Sequence, residues 1–130
     1  MIGLVLVAHA RLATELLKAA EMIVGAIPYA EALGIGPDDD GDSILSGITE
    51  ALQRLSSNGA IIMTDMFGGT PSNVSLSFLE ENRIEVLSGV NLPMVIEFAL
   101  RRERLEVSEL AASLKDAGRE SIAVAGDFLR

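Results

Sequence analysis

The stretch IGLVLVAHARLATELLKAAEMIVG (Ile2–Gly25) changes its pattern at one point, and that change decides the fold class. From Ile2 to Ala8 the residues form a continuous apolar run, the pattern of a parallel strand covered on both faces. Beyond it, Leu12, Leu16, Ala19 and Ile23 recur at helical spacing up to Gly25, a residue suited to end a helix. A buried strand followed by a helix is the opening of a β-α-β unit. At the junction stands His9, the only histidine in the chain.

The remaining sequence repeats that alternation. YAEALGI (Tyr29–Ile35) predicts a second strand, and GPDDDGDS (Gly36–Ser43) a turn leading into a helix with Ile44, Ile48, Leu52 and Leu55 on one face. Asp42 or Ser43 can cap that helix, and the acids suit its positive end. GAIIMTD (Gly59–Asp65) predicts a third strand, followed by the loop MFGGT and a helix opened by Pro71. IEVLSGV (Ile84–Val90) predicts a fourth, after which Pro93 opens a helix through MVIEFALRRE. Val107, Leu110, Leu114 and Ala117 mark one more helix, and SIAVAGDF (Ser121–Phe128) predicts a fifth strand. The pattern implies a single α/β domain over residues 1–130, with an open, mostly parallel five-stranded sheet and helices on both faces.

Composition narrows the function classes. Ten basic against nineteen acidic side chains give a net charge of −9, which disfavours nucleic acid and anionic membranes as partners and favours a basic protein surface. No apolar run approaches the roughly 20 residues of a membrane span, and MIGLVLVAH is too short and lacks the basic region of a signal peptide. It reads as a buried strand of a cytoplasmic protein without membrane insertion. With no cysteine, thiolate catalysis and disulfides are excluded, and one histidine leaves too few ligands for a typical zinc site. DDDGD (Asp38–Asp42) looks like the start of a calcium loop, but Ser43 stands where glycine is needed and Thr49 where glutamate is needed. These residues therefore give no expectation of a metal site.

In open α/β sheets, sites form beyond the carboxyl ends of the strands, where strand order reverses. His9 follows the first strand and Asp65 the third, so the fold can bring them to one edge. Gly68 and Gly69 allow close backbone approach or positive φ, Thr70 can cap the helix that Pro71 begins, and Thr70 and Ser72 add hydroxyl donors. Asn73 can brace the loop. Each piece also has an ordinary structural use: a packed histidine, an aspartate in a turn, a tight strand-to-helix connection. Together they suit attack by imidazole on phosphorus. A carboxylate accepting from one ring N–H sets the tautomer, and loop donors stabilise the phosphoryl oxygens.

VLVAHARLA (Val5–Ala13) with IIMTDMFGGTPSN (Ile61–Asn73) resembles the enzyme IIA domain of the mannose-type phosphoenolpyruvate-dependent sugar phosphotransferase system, over essentially the whole chain. The resemblance implies that His9 is phosphorylated on Nε2 by the phosphocarrier protein HPr and passes the group to a IIB domain. Asp65 would hold Nδ1, Thr70 would contact the phosphoryl group, and no metal or organic cofactor is implied. It further implies a homodimer in which an antiparallel terminal strand, here SIAVAGDF, is exchanged. Family members commonly read Thr-His-Gly where this chain has Ala8, His9 and Ala10. The IIB protein is expected on a separate chain, or the transfer serves a regulatory relay.

Three other readings share these residues. A phosphocarrier subunit serving dihydroxyacetone kinase would use similar histidine chemistry. A receiver-like signalling module would accept phosphate on Asp65, but it needs acids after the first strand and a lysine after the fifth. A hydrolase built on Ser72 or Thr70 with His9 and Asp65 would lack the Gly-x-Ser-x-Gly elbow.

Overall fold

The computed structural model describes residues 1–55, 58–66 and 68–130. Four parallel strands, β1 (Gly3–His9), β2 (Ala30–Ile35), β3 (Ala60–Thr64) and β4 (Ile84–Ser88), form one sheet in the order β2-β1-β3-β4. The chain runs outward from β1 to β2, returns past β1 to β3, and continues to β4. Strand order therefore reverses between β1 and β3, the two central strands. Their register sets Gly3 opposite Ala60 and Val7 opposite Thr64. One further residue carries Asp65 level with the end of β1.

The continuous apolar run of β1 fills two cores. Leu4, Leu6 and Ala8 face a layer formed by α1 (Leu12–Val24), α4 (Leu92–Arg101) and α5 (Val107–Glu120), where Ile61, Met63, Val95, Phe98, Leu110 and Leu114 are also buried. Val5 and Val7 face α2 (Gly41–Leu55) together with Ala60, Ile62 and Ile84. Val74 of the short α3 (Thr70–Ser75) and Phe78 of the 3-10 turn that follows it extend this second layer. Each fully buried Leu, Ile or Val contributes about 1.5–3 kcal/mol, so a strand apolar at every position requires a helix layer on both sides. Helices on opposite faces suit right-handed crossovers that leave β1 in one direction and return in the other.

The helical periods are legible to different degrees. In α2, Ile44, Ile48, Leu52 and Leu55 are all buried, as their spacing predicts. Its cap lies earlier than expected. Asp40 Oδ1 accepts from the Ser43 backbone N–H at 2.9 Å and Ser43 Oγ accepts from the Asp40 N–H at 3.0 Å, a reciprocal box in place of a cap at Asp42 or Ser43. In α1 the inward face is also displaced. Ala13 and Ala20 are buried, with Leu16, Leu17 and Val24 packed beside them, whereas Leu12 and Ile23 are exposed. Small alanines let α1 lie close to the sheet, a face that weighting large apolar residues misses. In α4, Pro93 stands in the first turn and the Asn91 side chain accepts from the Met94 N–H, giving the start that the sequence predicts.

The predicted fifth strand is corrected. SIAVAGDF runs as irregular chain from Ser121 and then as a 3-10 turn over Ala125–Leu129, closed by the Asp127 N–H donating to Val124 O and by an Asp127–Arg130 ion pair. Its apolar residues are solvent-facing: Ile122 is 78% exposed and Phe128 78%. Alternating apolar residues make a strand only where they pair with a sheet edge, and this segment pairs with neither edge strand, β2 or β4, of its own chain.

Candidate functional site

His9 is the last residue of β1, and its imidazole is half exposed, at 53%. The chain turns sharply after it. Ala10 adopts φ +53°, and its N–H donates to Ile35 O at 2.8 Å. The turn passes directly over Gly34 of β2. A Cβ on Gly34 would lie 2.4 Å from Ala10 O, so the absent side chain is what admits the turn.

Asp65 follows β3 and is only 12% exposed in its side chain. Its Oδ2 accepts twice from the same residue, from the His9 backbone N–H at 3.0 Å and from Nδ1 at 2.8 Å. An ionised carboxylate only accepts, so Nδ1 carries the proton and the other nitrogen, Nε2, holds the free lone pair of the neutral ring. Burial alone would raise the Asp65 pKa. The backbone and side-chain hydrogen bonds from His9 outweigh burial and hold the carboxyl below its ordinary value. Oδ1 is buried and has no hydrogen-bond partner among the described residues.

A glycine loop closes on the ring. Gly68 takes φ +84°, a conformation that disfavours any side chain. A Cβ on Gly69 would lie 3.7 Å from His9 Cε1, so this backbone passes along the imidazole edge between its two nitrogens. Gly69, extended at φ −81° and ψ 168°, caps α3 without side-chain help, and the Asn73 N–H donates to Gly69 O at 3.0 Å. Thr70 is therefore the first residue of the helix, exposed at the same edge, and not its capping side chain. Asn73 braces the loop through its backbone.

His9, Asp65 and Gly69 thus meet, Gly68 and Thr70 flank them, and Ser72 does not join them. Ser72 is fully buried, with its Oγ 3.1 Å from Ser88 Oγ. Thr64 Oγ1 donates to the same Ser88 oxygen at 3.3 Å. Sequence reasoning overlooked Ser88 and Thr64, although both stand at strand ends on the same edge, the signal that singled out His9 and Asp65. Among the described residues no three His, Asp or Glu side chains are grouped to hold a metal ion.

A family model described as PTS system fructose IIA component matches residues 3–115. The chain belongs to this mannose-type IIA family of the sugar phosphotransferase system. This IIA chain is 32% identical over 112 residues to the PTS system sorbose-specific EIIA component of Lacticaseibacillus casei, covering 85% of the chain and 81% of that protein. It is 29% identical to the PTS system mannose-specific EIIAB component of Escherichia coli (strain K12), covering 93% of the chain but 38% of that longer protein. Its fold matches the crystal structure of phosphotransferase system component EIIA from Streptococcus agalactiae with a TM-score of 0.90 and 26% identity, over 98% of this chain and 99% of that one. The mannose/sorbose specific IIA subunit from Enterococcus faecalis matches with a TM-score of 0.85 and 29% identity, over 95% and 93%. Within the described residues of this IIA chain, no helix is long and apolar enough to cross a membrane.

Proposed function

We propose that this IIA chain is a phosphoryl carrier that takes the group from phospho-HPr onto His9 Nε2 and passes it to a IIB protein or domain at the cytoplasmic side of a sugar transport system. The observation that carries the reading is the 2.8 Å contact between Asp65 Oδ2 and Nδ1 of a half-exposed imidazole. It leaves Nε2 as the nucleophile.

In the forward step the Nε2 lone pair attacks phosphorus, the N–P bond forms, and the bond from phosphorus to the donor breaks with its electron pair leaving on the donor. No proton need move, because the Nδ1 proton stays on the ring and remains shared with Asp65. Positive charge gained by the imidazole is offset by the Asp65 carboxylate. Backbone N–H groups of the Gly68–Thr70 loop and the exposed Thr70 hydroxyl serve the equatorial oxygens, which carry the spread charge of a phosphoryl transition state. Ser72, being interior, supports that loop and does not touch the group. Donation onto IIB is the same step reversed, with a new acceptor.

The exposed apolar side chains of residues 121–129 support a homodimer in which this segment finds a sheet edge in a second copy. The test of carrier function is incubation with phosphoenolpyruvate, enzyme I and HPr, followed by intact mass before and after mild acid. One acid-labile phosphoryl adduct is expected, and it is absent in His9→Ala. An unmodified wild type, or an adduct retained in that variant, contradicts the reading.

A further inference from the structure

Three hydroxyl side chains from three elements meet beneath the site. Thr64 ends β3 and pairs in register with Ser88, which ends β4. Thr64 continues the sheet face of Ala60 and Ile62, and Ser88 that of Ile84 and Val86, the face on which α2 and α3 pack. There Ser72, in the first turn of α3, reaches Ser88 at 3.1 Å while Thr64 donates to Ser88 at 3.3 Å. Thr64 and Ser72 are fully buried, whereas Ser88 is partly exposed.

Donor accounting gives the cluster a direction. If Ser88 donated to Ser72, the Ser72 proton would be left over in a fully buried place, where an unpaired donor is penalised. If Ser72 donates to Ser88, both buried hydroxyls are satisfied and the spare proton belongs to Ser88, which reaches solvent. Ser88 is then a double acceptor that ties α3 to the ends of β3 and β4.

We infer that Ser72 and Ser88, with Thr64, are positioning residues for phosphoryl transfer: their hydrogen bonds fix the start of α3 and so set the Gly68–Thr70 backbone against the His9 ring. The mechanical path is short. Ser72 is three residues from Gly69, the Asn73 N–H closes the intervening turn onto Gly69 O, and Gly69 flanks His9 Cε1. None of the three hydroxyls is placed to touch the transferred group, so their effect is on loop geometry alone. The inference rests on His9 as the phosphoryl acceptor.

The test is single-turnover phosphorylation by phospho-HPr over a range of donor concentrations, with unfolding temperature and circular dichroism as controls. Ser72→Ala and Ser88→Ala are each expected to slow the saturated rate about 10-fold, since misplaced transition-state donors are costly, with the half-saturating donor concentration unchanged. The double variant should be no more than about twofold slower than the slower single variant, because one cluster is broken only once. Ser88→Thr, which keeps the hydroxyl, should return to within about twofold of wild type. Unchanged rates in both alanine variants, additive losses, failure of Ser88→Thr to recover, or a loss confined to half-saturation would each overturn the inference while leaving His9 as the acceptor. A wild type that takes no phosphoryl group would overturn both.

Discussion

Asp65 makes two hydrogen bonds to His9 through a single oxygen, so its removal tests orientation with little change in packing. Asp65→Asn retains the shape but offers a mixed donor and acceptor in place of a carboxylate. We expect phosphoryl transfer slower by about 10²-fold or more with the fold retained, by analogy with loss of the orienting aspartate in other histidine-centred sites. The same contact carries a pH dependence. Because the folded Asp65 pKa lies below its unfolded value, its stabilisation is fully present above the ordinary aspartate range near ~3.9 and is lost as pH falls through the folded value. Unfolding temperature measured against pH should therefore show the wild-type advantage over Asp65→Asn shrinking in acid and not at neutrality. Beside it, Ala10 holds φ +53°, a conformation that glycine adopts freely. The left-handed conformation costs an alanine about 1–2 kcal/mol, of which glycine's extra chain entropy takes back about 0.5–1, so Ala10→Gly should stabilise by about 0.5 kcal/mol in urea unfolding.

Two contacts between neighbouring elements hold the frame on which the site stands. Gly34 on β2 lies under the Ala10 carbonyl, and Gly34→Ala would press a methyl to 2.4 Å from that oxygen. It should destabilise by about 1–3 kcal/mol and shift the backbone amide resonances of His9 and Ala10, since the turn must lift. At the opposite end of the sheet, Arg102 is 4% exposed and donates to Pro28 O and Ile2 O at 2.6 Å each, with its guanidinium 4.6 Å from the Phe98 ring centroid. It joins the end of α4 to the segments that open β1 and β2. Arg102→Met should keep the packing but strand those carbonyls, costing about 2–4 kcal/mol in denaturant unfolding while leaving the His9 edge unchanged. How far each element was legible follows from the same physics. The β1 run and the α2 stripe could be read because large apolar residues recur at one period. The α1 face could not, because it is made of alanines, nor could the α2 cap, because four nearby acids and a serine offered several registers.

The site as a whole was legible where it depends on topology and hidden where it depends on side-chain direction. An alternating strand and helix pattern places the ends of β1 and β3 side by side at the reversal of strand order, which is sufficient to bring His9 to Asp65. It does not say that Ser72 turns inward to Ser88, since that depends on where α3 packs. The terminal segment was misread for a related reason. Its apolar alternation pairs with neither edge strand of its own chain, so the single copy leaves Ile122, Val124, Phe128 and Leu129 in solvent. Removing residues 121–130 should therefore leave the circular dichroism of the core intact and convert the proposed dimer to a monomer in sedimentation equilibrium; an unchanged mass would remove this segment from assembly. The most direct test of the phosphoryl-carrier account uses the fact that the chain has one histidine, so ¹⁵N-labelled imidazole reports His9 without assignment. After phosphorylation through HPr, NMR should show phosphorus coupling to Nε2, with Nδ1 protonated and bonded to Asp65. Coupling to Nδ1, or phosphorus bound to no imidazole nitrogen, would contradict it.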